Sequence, residues 1–338
     1  MDKHVSRRAF LGGAGTAVLG LCVGRSRWVQ AAGLKVAYGE TEGQHWMVPY
    51  VASARNTWRD AGLDVDTHVF PTGRVGIDAM LAAKLDVCIC TDTPYMYAAM
   101  RGLKPQLIAP FSNTSKGSQI AVRTDRIKTP QDLQGKTVAT LMGGGGHYFL
   151  TRFMGAHELP ANAVKIVNMQ PNNMVIALAR GDVDALCWDP LTVQAAVEQS
   201  GGKVGVLDTS DSKKYFRQYC LMVGNEAFVK SRPDACDGIV AALQSAIGYI
   251  RDHPSDAVQI MSKRSKITPQ QSEEALADFT REIRFDEVLM GALLAQSDWA
   301  IDNKLAVRPA QDLRAMYRGL MYVEGAKKAI PGSVELSA

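Results

Sequence analysis

The same order of elements occurs twice in this chain, about one hundred residues apart. At residues 70–73 an apolar strand pattern ends in a Pro-Thr-Gly turn, and a helix, a short strand and the polar turn at 91–94 follow. Around residues 167–171 the order recurs and ends in the Trp-Asp-Pro turn at 188–190. Strands that alternate with helices predict parallel sheets, so the repeat predicts two similar α/β lobes. Because open α/β sheets bind ligands beyond the carboxyl ends of their strands, two facing lobes predict a clamp for a small molecule.

The first 31 residues predict an export signal rather than part of the fold. Arg7 and Arg8 precede a moderately apolar run that is too short to span a bilayer, and this order resembles a twin-arginine leader. Small residues ending at Ala31 predict cleavage there. The bulky Leu21 precedes Cys22 where a lipidation signal needs a small residue. We therefore expect a periplasmic protein exported by the twin-arginine translocase, and the alternative is an ordinary amphipathic arm.

Without this leader the chain carries almost no net charge. The whole chain has 38 Lys and Arg and 34 Asp and Glu, and five of the basic and one of the acidic residues lie in residues 1–31, which leaves 33 of each. A nucleic-acid surface needs an excess of Lys and Arg, so nucleic acid is excluded as a partner. No other segment is apolar for long enough to span a membrane.

The cysteines predict neither a disulfide framework nor a metal centre. Cys88 and Cys90 lie two apart in a strand pattern and therefore share one face, so we expect them to be small buried residues. The sequence has no CxxC pair and no histidine cluster, so no metal is expected. The glycine run at residues 143–146 lacks dinucleotide-binding spacing and a Walker A lysine. No cofactor is therefore expected.

Two connections between the lobes are predicted. The polar stretch at residues 112–117 predicts the first connection, and the strand pattern at 220–223 leads to the return near Gly224 and Asn225. The lobe boundaries that follow are residues 32–117 with 225–338 for lobe 1, and residues 118–224 for lobe 2.

This layout resembles the solute-binding proteins of the nitrate, sulfonate, taurine and bicarbonate class, which serve ABC importers. The resemblance is carried by residues 70–73, 132–138, 181–185 and 188–190, and it covers nearly all of the chain after the leader. It implies a type II periplasmic binding protein: an α/β fold of two lobes, each a mainly parallel sheet flanked by helices, with the ligand cleft between them. It further implies a monomer with an ABC permease as partner and no enzymatic activity.

The resemblance also implies which loops touch the ligand. They follow the first strands of each lobe and include the glycine run, whose backbone N–H groups and helix start suit an anion; the alternative is a flexible loop. The predicted ligand-binding residues are Glu40, Glu42, Gly43, Gln44, Thr72, Gly73, Arg74, Thr91, Asp92, Thr93, Gly144, Gly145, Gly146, His147, Trp188 and Asp189.

Several of these residues have a structural alternative. Arg74 would grip a sulfonate or carboxylate with two hydrogen bonds, or it is a surface arginine. The threonines and Asp92 occupy positions where helix capping is equally expected. Trp188 covers an organic tail or packs at a strand end, and His147 donates to an anion or simply lies in the first turn of its helix.

The acidic residues decide the expected ligand class. Glu40, Glu42, Asp92 and Asp189 would repel a bare anion, whereas a zwitterion such as taurine uses both signs of charge. An aminosulfonate is therefore the first interpretation, and nitrate or bicarbonate fits less well because Trp188 and the glycine run indicate a roomier site.

Two other functions remain open. The same scaffold serves desulfinases with a cysteine nucleophile and enzymes that make a thiamine pyrimidine precursor. A desulfinase needs a cysteine in the first cleft loop, where this chain has residues 40–43 without one, and the cysteine-rich motif of the pyrimidine enzymes is absent. A ligand sensor for a membrane receptor would use the same closing clamp, so the sequence does not separate it from import.

Overall fold

The computed structural model describes residues 33–337, and the predicted leader lies outside them. Strands and helices alternate up to Gly224, and helices dominate the remainder. The strands are β1 (Leu34–Thr41), β2 (Leu63–Phe70), β3 (Val87–Thr91), β4 (Gln106–Thr114), β5 (Gln119–Arg123), β6 (Thr137–Thr140), β7 (Lys165–Asn168), β8 (Ala185–Trp188), β9 (Val204–Val206), β10 (Gln218–Gly224), β11 (Phe285–Asp286) and β12 (Val334–Glu335). The helices are α1 (Met47–Ala54), α2 (Thr57–Asp60), α3 (Gly73–Leu81), α4 (Asp92–Met100), α5 (Gly145–Ala156), α6 (Pro171–Arg180), α7 (Pro190–Gln199), α8 (Glu226–Ser231), α9 (Pro233–Asp252), α10 (Pro254–Ser265), α11 (Pro269–Asp278), α12 (Glu287–Asp302), α13 (Leu313–Gly319) and α14 (Glu324–Ala329).

Ten of the strands form two five-stranded sheets of the same design. The strand order is β2-β1-β3-β10-β4 in the first sheet and β7-β6-β8-β5-β9 in the second. In each order the first three strands are parallel, and the fourth runs antiparallel to both of its neighbours. The two copies of the repeated unit, β2-α3-β3 and β7-α6-β8, therefore occupy equivalent positions. This confirms the predicted α/β fold with two sheets flanked by helices.

Strand β10 belongs to the first sheet, although it was predicted in the second lobe. It pairs with β3 and β4, so the chain returns between Val206, where β9 ends, and Gln218, where β10 begins. The predicted return near Gly224 and Asn225 is therefore misplaced by the length of one strand. All seven residues of β10 are buried, and a continuous apolar run fits the middle of either sheet equally well.

The helices of the repeated unit start at polar turns with local signals. Thr72 caps α3 by accepting a hydrogen bond from the backbone N–H of Val75 at 3.3 Å. Pro171 opens α6, where its missing N–H has no cost, and Gly181 ends that helix in the left-handed conformation, with φ of 84°. Asp189 caps α7. The polar turns at the strand ends are thus helix starts.

The central strands of both sheets are buried. Cys88, Cys90 and Cys220 in the first sheet and Cys187 in the second have no exposed surface, and none of the described cysteines forms a disulfide. This confirms Cys88 and Cys90 as small buried residues. Within residues 33–337, no helix has the length and apolarity needed to cross a membrane. The same residues contain no group of three or more His, Cys, Asp or Glu side chains placed to hold a metal ion.

Candidate ligand-binding cleft

The N-terminus of α5, from the second sheet, lies against loops of the first sheet. A Cβ atom built on Gly145 would lie 2.9 Å from Nε2 of Gln218 and 3.8 Å from Oγ1 of Thr93. A Cβ atom built on Gly143 would lie 3.2 Å from the hydroxyl oxygen of Tyr97. The predicted glycine run therefore meets the carboxyl end of β3 and the start of β10, which is the expected place for a cleft between the two sheets.

Aromatic contacts join α5 to α12 next to this point. The rings of His147 and Tyr148 each lie 5.1 Å from the Trp299 ring, measured between centroids. Nδ1 of His147 accepts a hydrogen bond from the backbone N–H of Gly143 at 3.1 Å. Burial lowers the pKa of His147 to about 4, so its ring is neutral at pH 7. His147 therefore brings no positive charge to an anion, and its Nε2 is the atom left to donate.

Asp92 is a fully buried carboxylate in the first turn of α4. Its Oδ2 accepts a hydrogen bond from the backbone N–H of Tyr219 at 3.0 Å, and its Oδ1 has no partner within the described residues. Burial raises the pKa of Asp92 to about 7, and the Tyr219 N–H opposes this. The N-cap position of α4 belongs to Thr91. Beside Asp92, the buried Thr93 donates from Oγ1 to Oε1 of Gln296 at 3.0 Å. Asp92 thus has a free acceptor close to α5.

His45 reaches the same region from the loop after β1. Its Nε2 lies 3.2 Å from Oε1 of Gln218, and its ring meets Phe279 edge to face with centroids 5.3 Å apart. Burial lowers the pKa of His45, and the Asp189 carboxylate at the end of β8 opposes this shift. His45 and Asp189 come from different sheets, so both borders of the cleft contribute titratable groups.

The oxygens of Asp189 are occupied by its own helix. Oδ1 accepts from the backbone N–H groups of Leu191 and Thr192 at 3.0 and 3.1 Å, and Oδ2 accepts from Thr192 Oγ1 at 2.8 Å. Asp189 is therefore an N-cap of α7 whose charge also acts on His45.

Glu40, predicted to face the ligand, pairs with Arg264 at the end of α10. Only 2% of the Glu40 side chain is exposed, compared with 40% of the Arg264 side chain. Burial raises the pKa of Glu40 and the Arg264 guanidinium opposes this rise. Oε2 of Glu40 has no hydrogen-bond partner within residues 33–337. The Arg264 guanidinium also lies 5.7 Å from the centre of the Tyr50 ring. Glu40 thus ties β1 to the C-terminal helices.

The rest of the loop after β1 is held in the same way. Nζ of Lys266 lies 3.4 Å from Oε1 of the exposed Glu42, and Oγ of Ser265 donates to the Gly43 carbonyl at 3.1 Å. Gln44 is buried. Glu42 and Gly43, which were predicted to contact the ligand, are therefore held in place by residues at the end of α10.

The turn before α3 has structural partners as well. Nε of the half-exposed Arg74 donates to Oδ2 of Asp78 at 3.0 Å, which leaves both Nη groups of Arg74 available. Thr72 is the helix cap already described. Gly73 is required by packing, because a Cβ atom there would lie 3.0 Å from Cα of Cys90. Burial raises the pKa of Tyr97 to about 12 and the charges of Arg101 and Arg74 oppose this rise, so this turn lies near the part of the cleft that Tyr97 lines.

Trp188 packs on the glycine run. A Cβ atom built on Gly146 would lie 2.5 Å from the Cys187 carbonyl oxygen and 2.8 Å from the Trp188 ring, and one on Gly144 would lie 3.0 Å from that ring. The run is therefore glycine-rich because α5 begins in close contact with β8, which neither sequence interpretation of the run included.

The structure brings together only some of the predicted residues. Those at the meeting point of the two sheets are Asp92, Thr93, Asp189 and the start of α5, which includes Gly144, Gly145, Gly146 and His147. Four contributors there were not predicted, namely His45, Tyr97, Gln218 and Gln296, and Arg264 was not predicted as the partner of Glu40. His45 follows the predicted loop directly and Arg264 lies in a short basic run, so these two had a sequence signal. Gln218 and Gln296 had none, because their positions depend on pairing between distant segments.

Comparison with known proteins identifies the family. Residues 42–257 match the model of the family described as NMT1/THI5 like. The chain belongs to this family. A Brucella abortus (strain 2308) protein named as a binding protein is 25% identical over 218 residues, which cover 64% of this chain and 67% of that protein. The taurine-binding periplasmic protein of Escherichia coli K12 is 28% identical over 153 residues, which cover 45% of this chain and 47% of that protein.

Two solved structures share the fold of this chain. The alkanesulfonate-binding protein SsuA of Xanthomonas axonopodis pv. citri, bound to MOPS, matches with a TM-score of 0.71 and 18% identity, over 86% of this chain and 99% of its own. The desulfurization enzyme DSZB matches with a TM-score of 0.65 and 15% identity, over 88% of this chain and 99% of its own. These similarities confirm the predicted periplasmic binding protein fold and the resemblance on which it was based.

Proposed function

We propose that this chain is the solute-binding component of an ABC importer and binds a small organic anion or zwitterion between its two sheets. The family, the names of its relatives and the meeting of strand ends from both sheets support this proposal. An ABC permease is then its membrane partner, and the periplasm is its location. The predicted twin-arginine export, cleavage near Ala31 and monomeric state belong to the same proposal.

Binding would proceed by closure of the two halves. The chain crosses between the sheets at residues 115–118 and 207–217, and bending at two such connections is the usual hinge motion of these clamps. Closure brings the start of α5 against Gln218 and Thr93, as the distances at Gly145 describe. The permease would recognise this closed form.

The proposed ligand class rests on one observation, the buried Oδ1 of Asp92, which can accept a hydrogen bond from a ligand. Oδ1 of Asp92 is buried without a hydrogen-bond partner among residues 33–337, and Thr93 next to it lies close to the α5 N-terminus. The first N–H groups of a helix lack intrahelical partners and attract anions. A zwitterion would place its ammonium at Asp92 and its sulfonate or carboxylate at Gly144, Gly145 and Gly146. Taurine has both groups and is our first candidate.

An enzyme on the same scaffold is the second candidate, and the fold similarity to DSZB is the observation in its favour. A cysteine nucleophile reacts as its thiolate. Burial raises the pKa values of Cys90 and Cys187, and raises those of Cys220 and Cys236 to about 12. These shifts disfavour the thiolate at every one of the four sites and support a binding role.

Isothermal titration calorimetry of the wild type and Asp92→Asn tests the proposal. The panel comprises taurine, alkanesulfonates, aryl sulfonates, nitrate, bicarbonate, amino acids, dicarboxylates and thiamine precursors. We expect taurine to bind wild type and to bind D92N at least tenfold more weakly, whereas ethanesulfonate, which lacks the amine, distinguishes the two proteins by less than twofold. Taurine affinity of wild type should rise between pH 6 and 8 as Asp92 loses its proton.

Two results would contradict parts of this proposal. Equal taurine affinity of wild type and D92N would remove Asp92 from the site. Turnover of any panel member, seen as product after incubation, would favour the enzyme. As a control, Asp66→Asn changes an exposed carboxylate on β2 and should bind every compound as wild type does.

A further inference from the structure

A second cavity lies among the C-terminal helices, away from the cleft. Its volume is about 540 Å³, it opens to solvent, and it is lined by α9, the segment after α11 and the turn before β12. None of its lining residues belongs to the cleft described above. Small-molecule sites usually have volumes of roughly 300–1,000 Å³. We propose that this cavity is a second binding site, for a small amphipathic organic anion.

The walls of the cavity would receive an apolar chain. Five aliphatic side chains from three separate segments contribute to them, namely Ile247, Ile250, Leu276, Ile283 and Ile330. Ile250 and Ile283 are buried, whereas Ile247, Leu276 and Ile330 are only partly buried, although they pack on the core. A bound hydrocarbon chain would remove this apolar surface from water, which is favourable in proportion to the area covered.

Arg281 would receive the charged end of the ligand. Nη1 donates to the carbonyls of Leu276 and Phe279 and Nη2 donates to that of Ala275, each at 2.8 Å. All three acceptors are neutral, and Nε makes no hydrogen bond to the described residues. Burial lowers the pKa of Arg281 to about 10, as expected for a cation without a carboxylate partner. An anion in the cavity would supply the missing charge.

The other charged residues of the cavity are already compensated or exposed. Nε of Arg251 pairs with Oδ1 of Asp252 at 2.8 Å, and Arg284 pairs with two carboxylates. Glu282 is exposed to solvent. Arg281 is therefore the partly buried charge of the lining that has no carboxylate partner among the described residues, and it sets the sign of the ligand.

A purely structural role for Arg281 is the competing explanation. Arginine often satisfies the last carbonyls of a helix, and Arg281 does this for α11. The cap uses three of its five N–H groups, so it leaves donors for a ligand. The two roles differ in one measurable respect, because only a ligand site needs the empty space beside the cap.

Binding of octanoate to the purified protein tests this site. Octanoate joins an eight-carbon chain to one carboxylate, and octanol and octylamine have the same chain with no charge or the opposite charge. We expect wild type to bind octanoate at least tenfold more tightly than either analogue. Ile247→Trp fills the cavity and Arg281→Met removes the charge, and each should weaken octanoate binding at least tenfold. Circular dichroism verifies that each variant is folded.

Matched controls separate this site from the cleft. Ile176→Trp adds the same bulk on the exposed side of α6, and Arg308→Met removes an exposed arginine that pairs with Asp298. Both should bind octanoate as wild type does, and so should D92N, so failure at the cleft leaves this test intact. If wild type fails to bind octanoate, if octanol binds equally well, or if I247W retains the wild-type affinity, the proposal is overturned. Because I247W leaves the α11 cap in place, it decides the matter even where R281M does not fold.

Discussion

Gly145 and Gln218 lie in contact across the two halves of the molecule, with the side-chain nitrogen of Gln218 only 2.9 Å from the place that a Cβ atom on Gly145 would occupy. Real Cβ atoms essentially never have neighbours at such a distance. A methyl group at residue 145 would therefore have to displace the amide end of the Gln218 side chain as the two halves close.

Gly145→Ala should weaken binding of the cleft ligand by about threefold, or ~0.7 kcal/mol, because the amide end of Gln218 has to move away from the added methyl group before the two halves close. The free energy of unfolding should change little, since residue 145 is at the start of α5. Gly155→Ala is the matched control in the same helix, where nothing lies within 4 Å of the added atom. It should keep the affinity and stabilise the protein by roughly 0.5–1 kcal/mol. Calorimetric titration and urea unfolding measure both; wild-type affinity in G145A would contradict closure at this contact.

The buried Asp92 should make stability fall as the pH rises. Its pKa is about 7 in the folded protein against an ordinary value of 3.8, so the folded state holds the proton more tightly. The stabilising contribution is complete below about pH 4 and is lost as the pH rises through 7. At ~1.4 kcal/mol per unit of pKa, this loss is on the order of 4 kcal/mol.

Urea unfolding of wild type and D92N at pH 4 and pH 8 measures this effect. The free energy of unfolding of wild type should fall relative to that of D92N between the two pH values. The exposed-site variant D66N should follow the wild type. A constant difference between wild type and D92N would show that Asp92 titrates normally.

The Glu40–Arg264 pair should act on stability rather than on ligand affinity. Arg264→Met leaves a buried carboxylate without its cation and should cost about 2 kcal/mol of unfolding free energy, less than for a fully buried pair because Arg264 is partly exposed. Glu42→Gln, in the same loop but exposed, should change stability by less than ~0.5 kcal/mol. Glu40→Gln should bind the cleft ligand as wild type does. A tenfold loss of affinity in E40Q would instead restore Glu40 to the ligand-binding set.

Two substitutions at Asp189 can separate its role as the N-cap of α7 from the effect of its negative charge. Asp189→Ala removes the N-cap of α7 and should destabilise the protein by about 1 kcal/mol. Asp189→Ser retains a capping oxygen without the charge, and its stability should stay within ~0.5 kcal/mol of wild type. If the Asp189 charge contributes to binding, both variants lose affinity for taurine alike. If affinity falls only in D189A, the cap alone accounts for its importance.

Arg74 is a predicted anion ligand whose Nε already donates to Asp78. It is half-exposed and pairs with Asp78 one turn away in α3, and exposed pairs of this kind contribute ~0.3–0.5 kcal/mol. Arg74→Ala should therefore change unfolding free energy by less than about 0.5 kcal/mol and change taurine affinity less than threefold. A loss of thirtyfold or more would mean that Arg74 turns inward on the ligand.

The two-sheet fold was predictable because its signals are local and repeated. Each signal acts locally: the polar turns start helices, and Pro171 and Gly181 mark the two ends of α6. Because the same order of strand, turn, helix and strand occurs twice, the pattern is a stronger indication than a single occurrence. The position of β10 was not predictable in the same way. After Gln218 its residues form a continuous apolar run, and which strands it joins depends on pairing with residues more than one hundred positions earlier.

The candidate site was predicted at the level of loops and only partly at the level of residues. Asp92, Thr93 and Gly145 do meet, because strand ends converge at the edges of the two sheets. The partner of Glu40, Arg264, lies 224 residues away, so no pattern in the sequence indicated this pair. A side chain at a strand end can point to either face of the sheet. The direction of the Glu40 side chain is set here by Arg264 at the end of α10.

The position of β10 in the first sheet determines the order in which the two sheets can form during translation. The second sheet is built from one uninterrupted stretch, residues 119–206, whereas the first sheet lacks an inner strand until residues 218–224 exist. A nascent chain emerging from the ribosome can complete its second sheet while the exposed edges of β3 and β4 still wait for the strand that joins them. Ordering of the first sheet then closes a loop of about one hundred residues, a slow step in folding. During synthesis the first half of the chain therefore keeps unpaired strand edges exposed until β10 has been made, although that half is translated first.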